Sequence, residues 1–302
     1  IQYALYNSIM KKLLAIFLVL FSSHAISDQI QLKHRSIIIN GLHTSNDARS
    51  KSIALVVHGT RGHQNLEIIS SLRDSLIENN IDSMTVNLSY GISDRVNDFL
   101  PCDINHNYLQ TDSIEEIREW YKQIQYMGYE NIYLIGHSRG GLNIIQFFNE
   151  LDQSSKSLIS SIFLLAPVSD DFSDTRKDYE EKYNIDIAEL KDENLEINFL
   201  GCEKAKVTKK TFMDYYNIHT KHNLFGKSAS LISNLKNTDT DVYIITASED
   251  TFVANTHNKI SSMKKRMYGG DNIELIAIDG ADHFFRDFYF DDLIEIIMDK
   301  IN

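Results

Sequence analysis

A serine stands between two glycines near the middle of the chain, in the pattern Gly-x-Ser-x-Gly. Ser138 follows the short apolar run 133–135 and precedes a segment, 142–151, with the pattern of a helix. In such a strand-to-helix turn the hydroxyl is lifted above the edge of a sheet, where it can act as a nucleophile. Gly136 and Gly140 let strand and helix approach closely and let the serine adopt a strained backbone conformation. We call this turn the elbow; it comprises Gly136, His137, Ser138, Arg139 and Gly140.

A serine hydroxyl is a poor nucleophile at neutral pH and needs a base within hydrogen-bond reach. With a nucleophile of this kind, the base is expected later in the chain, after one of the last strands. His283 fits, because it follows the predicted strand 273–278 and a glycine-containing loop, and precedes the last predicted helix, 287–300. We predict that His283 is the base.

A third group must orient that base, and it is expected after the preceding strand. Glu249 and Asp250 both follow the predicted strand 241–246. We favour Asp250, because it comes directly before the turn at 251–253, and we keep Glu249 as the alternative. Asp282 is adjacent to His283 and is expected to stabilise the loop rather than to orient the imidazole.

Acyl transfer also needs N–H donors directed at the oxyanion that develops on the substrate. Arg139, the residue after the nucleophile, offers its backbone N–H. A second donor is expected from the loop that follows the predicted strand 52–57, which begins His58-Gly59-Thr60. We predict that Thr60 donates through its backbone N–H; the alternative is that His58 and Gly59 form an ordinary turn at the end of a strand.

Alternating strands and helices would position these residues, and that alternation predicts a mostly parallel sheet with helices on both faces. A weaker signal at 29–40 predicts an antiparallel pair at the sheet edge. The predicted strands are 52–57, 82–88, 131–135, 161–165, 241–246 and 273–278, and the predicted helices are 65–78, 113–127, 142–151 and 287–300.

One polar interval, about 169–237, interrupts the alternation and is far longer than a usual connection. We interpret it as a helical cap over the carboxyl edge of the sheet, with helices at 178–183, 187–193 and 208–216. The alternative is an irregular surface insertion that does not contact the site.

The composition indicates one domain behind an export signal. The chain has 302 residues, 43% hydrophobic and 24% charged, which suits a single large core. Lys11 and Lys12 precede the apolar run 13–21, and small residues at 25–27 offer a cleavage site. We therefore predict a signal peptide with upstream residues at 1–27, cleaved near Ser27, and a mature domain at 28–302 that is periplasmic or secreted. The run is about half of the roughly 20 residues that cross a bilayer, so no stable membrane span is expected after cleavage; a retained interfacial anchor is the alternative.

The charge excludes general attraction to nucleic acid. The net charge is −12, and loss of Lys11 and Lys12 with the signal peptide would make it −14. Such a chain does not attract polyanions or anionic membranes, and the acidity is most simply explained by solubility. Oligomeric state leaves no signal in the sequence.

Two cysteines, Cys102 and Cys202, permit one disulfide in an exported protein, or else two buried thiols. Cys102 falls in a loop expected near the site and Cys202 falls in the cap, so a bridge would tie the cap to the core. Cys102 and His106 alone are too few ligands to predict a metal site. We expect neither a metal nor an organic cofactor.

The chain resembles the α/β-hydrolase superfamily over essentially its whole mature length. The resemblance is carried by the His58-Gly59 turn, the elbow, Asp250 and His283. Within that superfamily, a second set of features is similar to an uncharacterised group of exported bacterial serine hydrolases: Asp94-Arg95, Cys102 and His106, followed by a helix and the elbow. The resemblance implies an α/β-hydrolase fold with a cap.

The leading functional hypothesis is hydrolysis of a carboxylic ester or related acyl bond in a small-molecule substrate, with an acyl-enzyme intermediate on Ser138. Peptide or amide cleavage and acyl transfer would use the same residues, and only the cap and the pocket shape separate them. A non-catalytic binding protein of the same fold and a membrane-anchored interaction protein are the remaining alternatives.

Overall fold

The computed structural model describes residues 25–46, 50–169, 172–187, 189, 194–216, 224–225, 231–235, 238–253, 256–265 and 270–301. The strands are β1 (Ala25–His34), β2 (Ile37–Asn46), β3 (Ser52–Val57), β4 (Asp82–Asn87), β5 (Asn105–His106), β6 (Asn131–His137), β7 (Ile159–Leu165), β8 (Asn194–Phe199), β9 (Cys202–Thr208), β10 (Asp241–Ala247) and β11 (Ile273–Ile278). The helices are α1 (Glu67–Glu78), α2 (Gln110–Met127), α3 (Arg139–Glu150), α4 (Gln153–Lys156), α5 (Phe172–Tyr183), α6 (Lys209–Tyr215), α7 (Thr256–Lys264) and α8 (Phe288–Ile301), with a 3-10 turn at Leu231–Leu235.

Eight strands form the central sheet, in the order β1-β2-β4-β3-β6-β7-β10-β11. The six strands from β4 to β11 in that order are parallel to their neighbours, and the β1–β2 hairpin joins β4 antiparallel at one edge. The prediction of a mostly parallel sheet with an antiparallel edge pair is therefore confirmed. Because parallel strands end at the same edge, the segments after β3, β6, β10 and β11 meet there.

The two faces of the sheet carry separate apolar layers. In β3, Ile53, Leu55 and Val57 pack on the side of α2 and α3, while Ala54 and Val56 pack on the side of α1 and α8. All five are fully buried. A strand that is buried on both faces has a continuous run of apolar residues rather than alternating apolar and polar ones. This explains the sequence of β3, SIALVV.

The sequence predicted a helical segment between β7 and β10, but the structure contains strands there as well as helices. Helices α5 and α6 cover two of the predicted ones, but β8 and β9 lie between them and pair with the short β5 in a three-stranded sheet. Most of the predicted helix 187–193 lies outside the described residues. We call the described part of 172–235 the cap.

A disulfide joins the cap to the core. The sulfurs of Cys102, in the loop after β4, and Cys202, at the start of β9, are bonded, with 5.3 Å between the two Cα atoms. The apolar cluster under α2 and α3 continues into the cap through Phe172, Phe199 and Tyr215. The cap therefore shares the core of the sheet on that side.

The predicted signal peptide lies almost wholly outside the described residues. β1 begins at Ala25, and its first three residues are exposed. In the part of the chain that the structure describes, no helix has the length and apolar character needed to cross a bilayer.

Candidate active site

The elbow holds Ser138 in a strained conformation at the end of β6. Its φ is 54° and its ψ is −121°, a combination that L residues adopt rarely. Its backbone N–H donates to the carbonyl of Leu165 on the neighbouring β7, at 2.8 Å. A Cβ at position 136 would stand 2.6 Å from the backbone of Gly140, and one at position 140 would overlap the carbonyl of Val57. Both positions therefore require glycine, which explains the Gly-x-Ser-x-Gly pattern.

His283 and Asp250 are joined side chain to side chain. The imidazole Nδ1 of His283 donates to Oδ2 of Asp250 at 2.7 Å, and both side chains are almost fully buried. The other carboxylate oxygen of Asp250 accepts the backbone N–H groups of Phe252 and Val253, each at 2.8 Å. The turn at 251–253 therefore fixes the carboxylate, which in turn fixes the tautomer of the imidazole.

Burial by itself would raise the pKa of Asp250. The hydrogen bond from His283 and those from the Val253 and Phe252 amides outweigh it, so the pKa lies below its ordinary value. The carboxylate of Asp250 is thus ionised at neutral pH.

The two other acids considered from the sequence lie apart from the imidazole. Glu249 is exposed, and within the described residues no hydrogen bond or ion pair joins its side chain to His283. Asp282 accepts the backbone N–H groups of Phe284 and Arg286, and it pairs with the guanidinium of Arg286 at 2.6 Å. Asp282 thus holds the loop after β11.

His137 connects the elbow to that loop. Its Nε2 donates to the carbonyl of His283 at 2.9 Å, and the two imidazole rings pack 4.8 Å apart. Burial, followed by repulsion from His283, lowers the pKa of His137 to about 3, so it remains neutral. The residue before Ser138 is therefore in direct contact with the residue predicted to be its base. The sequence identified His137 as part of the elbow, but gave no sign of this contact.

His58 and Gly59 form the loop after β3. His58 donates from Nδ1 to the carbonyl of Gly59 at 2.8 Å and accepts the N–H of Leu88 on Nε2 at 3.2 Å. The carbonyl of Gly59 also accepts the N–H of Gly62, closing a turn around Thr60. A Cβ at position 59 would lie 3.0 Å from Cβ of Ser138. The loop predicted to supply the second oxyanion donor thus contacts the nucleophile.

A second layer, not recognised from the sequence, supports that loop. The hydroxyl of Tyr90 accepts the backbone N–H of Arg61 at 3.1 Å. The preceding residue, Ser89, donates its backbone N–H to the buried carboxyl of Glu116 at 2.8 Å, and its hydroxyl donates to the same carboxyl. Burial raises the pKa of Glu116 to about 7, although both bonds from Ser89 act to lower it. The sequence gave no indication of this role for Glu116, because the residue lies within an ordinary helical pattern.

The side chain of Arg139 lies between the core and the cap. It donates to Oε1 of Gln110 at 3.0 Å and to Oγ1 of Thr60 at 3.4 Å, and its guanidinium lies 5.3 Å from the ring centre of Tyr215. Phe172 contributes a second aromatic face at 5.9 Å. The cap thus contacts the residue next to Ser138.

Metal-ligating side chains do not converge around the site. Across the described residues, no group of three His, Cys, Asp or Glu side chains is arranged to hold a metal ion. Cys102 is consumed by the disulfide, and the Nδ1 of His106 is bonded to the hydroxyl of Tyr108 at 2.7 Å.

Comparison with known proteins identifies the fold. Est1E from Butyrivibrio proteoclasticus superposes with a TM-score of 0.65 at 14% identity, over 90% of this chain and 98% of that one. The α/β hydrolase GrgF from a Penicillium species gives 0.61 at 14% identity, over 91% and 96%. An α/β serine hydrolase homologue from Coxiella burnetii gives 0.56 at 11%, over 91% and 97%. No family model and no curated protein matches the sequence. The chain has the α/β-hydrolase fold, as the resemblance in sequence implied.

Proposed function

We propose that this protein is a serine hydrolase that cleaves a carboxylic ester or a related acyl bond. One observation carries the proposal: a strained serine at the elbow and a buried His283–Asp250 pair, joined at 2.7 Å, occur on loops at the same edge of the sheet. A buried histidine held by an ionised carboxylate is the arrangement that activates a serine for attack.

In the proposed reaction, Ser138 Oγ attacks the acyl carbon and its proton passes to Nε2 of His283, since Nδ1 is already bonded to Asp250. The resulting imidazolium is stabilised by the Asp250 carboxylate, and the oxyanion is held by the backbone N–H groups of Thr60 and Arg139. His283 then protonates the leaving alcohol. Water, deprotonated by the same imidazole, releases the acid from Ser138.

The structural neighbours support this class of reaction. Est1E binds ferulic acid, a carboxylic acid of the kind that ester hydrolysis releases. Peptide or amide cleavage and acyl transfer use the same groups, and no described feature of the site favours them.

We also propose that the protein is exported, with a signal peptide cleaved near Ser27. The basic pair and apolar run at 11–21 motivate this proposal. A disulfide between the cap and the core supports it, because disulfides persist in oxidising compartments.

Intact-mass analysis after treatment with a fluorophosphonate tests both proposals. The exported protein should begin near Asp28 and gain one adduct, and Ser138→Ala should gain none. Ser138→Ala should also lose esterase turnover while its melting temperature stays close to that of the wild type.

Either of two results would count against the hydrolase assignment: no adduct on folded wild-type protein, or turnover that survives in Ser138→Ala. A mature mass that still contains the residues before Asp28 would refute the cleavage proposal alone.

A further inference from the structure

Arg139 is a buried cation immediately beside the nucleophile. Arg139 is 7% exposed and Ser138 is 6% exposed, so both residues are buried. The Nε of Arg139 reaches Oγ1 of Thr60, whose backbone N–H is a proposed oxyanion donor. The guanidinium therefore lies beside the loop proposed to supply the second oxyanion donor.

The hydrogen bonds of this guanidinium go to neutral groups. A guanidinium has five N–H donors, and the bonds to Gln110 and Thr60 use Nη1 and Nε. Among the described residues, Nη2 has no hydrogen-bond acceptor. It also remains accessible, because it is not among the polar atoms that are both fully buried and without a hydrogen bond. This nitrogen can therefore still bind a group that enters the site.

No acid in the described part of the chain pairs with this guanidinium. Within the described ranges, Arg139 forms no ion pair with any Asp or Glu, although the chain has 42 such residues. Burying a cation is costly unless an anion pairs with it. The aromatic faces of Tyr215 and Phe172 offset only part of that cost. The described residues therefore leave this buried guanidinium without an anionic partner.

The neighbouring side chains fix the position of the guanidinium without neutralising its charge. Nε2 of Gln110 donates to Oε1 of Gln146 at 3.1 Å, which turns Oε1 of Gln110 toward Arg139. Burial raises the pKa of Tyr90 and Tyr215, so both hydroxyls stay neutral beside the cation rather than ionising to pair with it. The fork geometry of arginine matches a carboxylate with two parallel bonds.

We propose that the Arg139 side chain binds a carboxylate carried by the substrate. The inference rests on the proposed hydrolase function and narrows its substrate class to acidic esters, acyl compounds with a carboxylate in addition to the bond that is cleaved. The competing explanation is that Arg139 only attaches the cap to the core through Tyr215, Phe172 and Gln110.

Matched esters distinguish the two explanations. One series consists of 4-nitrophenyl monoesters of dicarboxylic acids of increasing length, each paired with its ω-carboxamide; a second pair carries the carboxylate or carboxamide on the leaving phenol. We expect the wild type to show a higher kcat/KM for the carboxylate member at one length or position. In Arg139→Met this preference should fall by about 10- to 100-fold, mainly through KM, and Arg139→Lys should restore part of it.

The net charge of −12 makes the comparison stringent, because the protein as a whole repels anions. A carboxylate preference in the wild type therefore reports local contact rather than long-range attraction. If Arg139→Met does not fold, inhibition of the wild type by free dicarboxylates, compared with the corresponding diamides, gives the same information, and the dicarboxylates should inhibit more strongly.

Several results would overturn the inference. One such result is that the wild type turns over the carboxylate ester and the carboxamide ester equally in every pair. Another is that free dicarboxylates and the corresponding diamides inhibit the wild type equally. A loss in Arg139→Met that is the same for both members of a pair would instead establish attachment of the cap. Ser138-dependent turnover without carboxylate preference refutes this inference alone, whereas absence of Ser138-dependent turnover refutes the proposed function.

Discussion

Three histidines surround the elbow, and their environments give them different roles. His58 and His137 are fully enclosed, and burial lowers the pKa of each to about 3. Each donates from one ring nitrogen to a backbone carbonyl, of Gly59 and His283 respectively, and so serves as a neutral brace. Only His283 is bonded to a carboxylate. Among the three, the residue predicted to be the base is thus the one held by a carboxylate.

Replacing Asp250 by Asn should lower kcat by about 10³- to 10⁴-fold. The amide has nearly the same shape but no charge, and it can donate toward Nδ1 of His283, which favours the wrong tautomer. Substrate affinity should change little, because Asp250 is bonded to His283 and to the backbone of its own turn. Steady-state kinetics on any ester that the wild type cleaves provides the measurement.

Glu249→Gln is the matched control, because it removes the charge of the adjacent carboxylate, which is exposed. Its kcat should stay within about twofold of the wild type. If Glu249→Gln were the more damaging change, the acid would have been assigned to the wrong residue.

At the level of elements, the strands that position the candidate site were predictable because they carry strong local signals. β3 and β6 are apolar over most of their length and end in the His58 loop and the elbow, so both element type and position follow from the sequence. β11 has the same boundaries as predicted, 273–278, and places His283 five residues after its end. Continuous apolar runs need no knowledge of their partners to be recognised.

The cap was harder to predict because its strands are amphipathic and short. In β8, Leu195, Ile197 and Phe199 alternate with outward-facing polar residues, but the adjoining charged stretch favoured a helix. β5 has only two residues and exists because it pairs with β9. Likewise, the sequence could not show that Glu116 and Tyr90 support the Thr60 loop, since those contacts join segments far apart in the chain.

Glu116 in helix α2 should make stability depend on pH. Burial raises its pKa in the folded protein to about 7 from an ordinary value of 4.5, so the folded state holds the proton more tightly than the unfolded chain does. The resulting stabilisation is complete below about pH 4.5 and is lost as pH rises toward 7. Glu116→Gln cannot titrate, so its free energy of unfolding relative to the wild type should rise by about 3 kcal/mol between pH 4.5 and pH 8. Urea unfolding across this range measures the difference.

Glu119→Gln, on the same helix but partly exposed and paired with Lys122, serves as the control. Its unfolding free energy should follow the wild type with pH, since an exposed pair contributes only about 0–1 kcal/mol. A constant difference between Glu116→Gln and the wild type at all pH values would contradict the assignment.

At the scale of the whole molecule, a disulfide, a strand pairing and a side-chain hydrogen bond among the described residues add to the apolar packing that joins the cap to the core. The disulfide bonds Cys102 to Cys202, and β5 pairs with β9 a few residues later. The carboxylate of Asp214 in α6 accepts the backbone N–H of Thr111 at 3.0 Å, at the start of α2. These contacts hold the cap aromatics over Arg139 and keep the elbow covered.

The disulfide should contribute a large part of the stability of this arrangement. It closes a loop with a sequence separation of 100, for which the chain-entropy model gives about 4.7 kcal/mol. Cys102→Ala/Cys202→Ala should therefore lose roughly 2–5 kcal/mol of unfolding free energy in guanidinium titrations. A reducing agent should lower the midpoint of the wild type to a similar degree and leave the double variant unchanged. Because the bridge joins the cap to the core, protease cleavage should also increase first within the cap. The control is reduced wild-type protein whose mass shows two free thiols. If it unfolds at the same midpoint as the oxidised form, this account is contradicted.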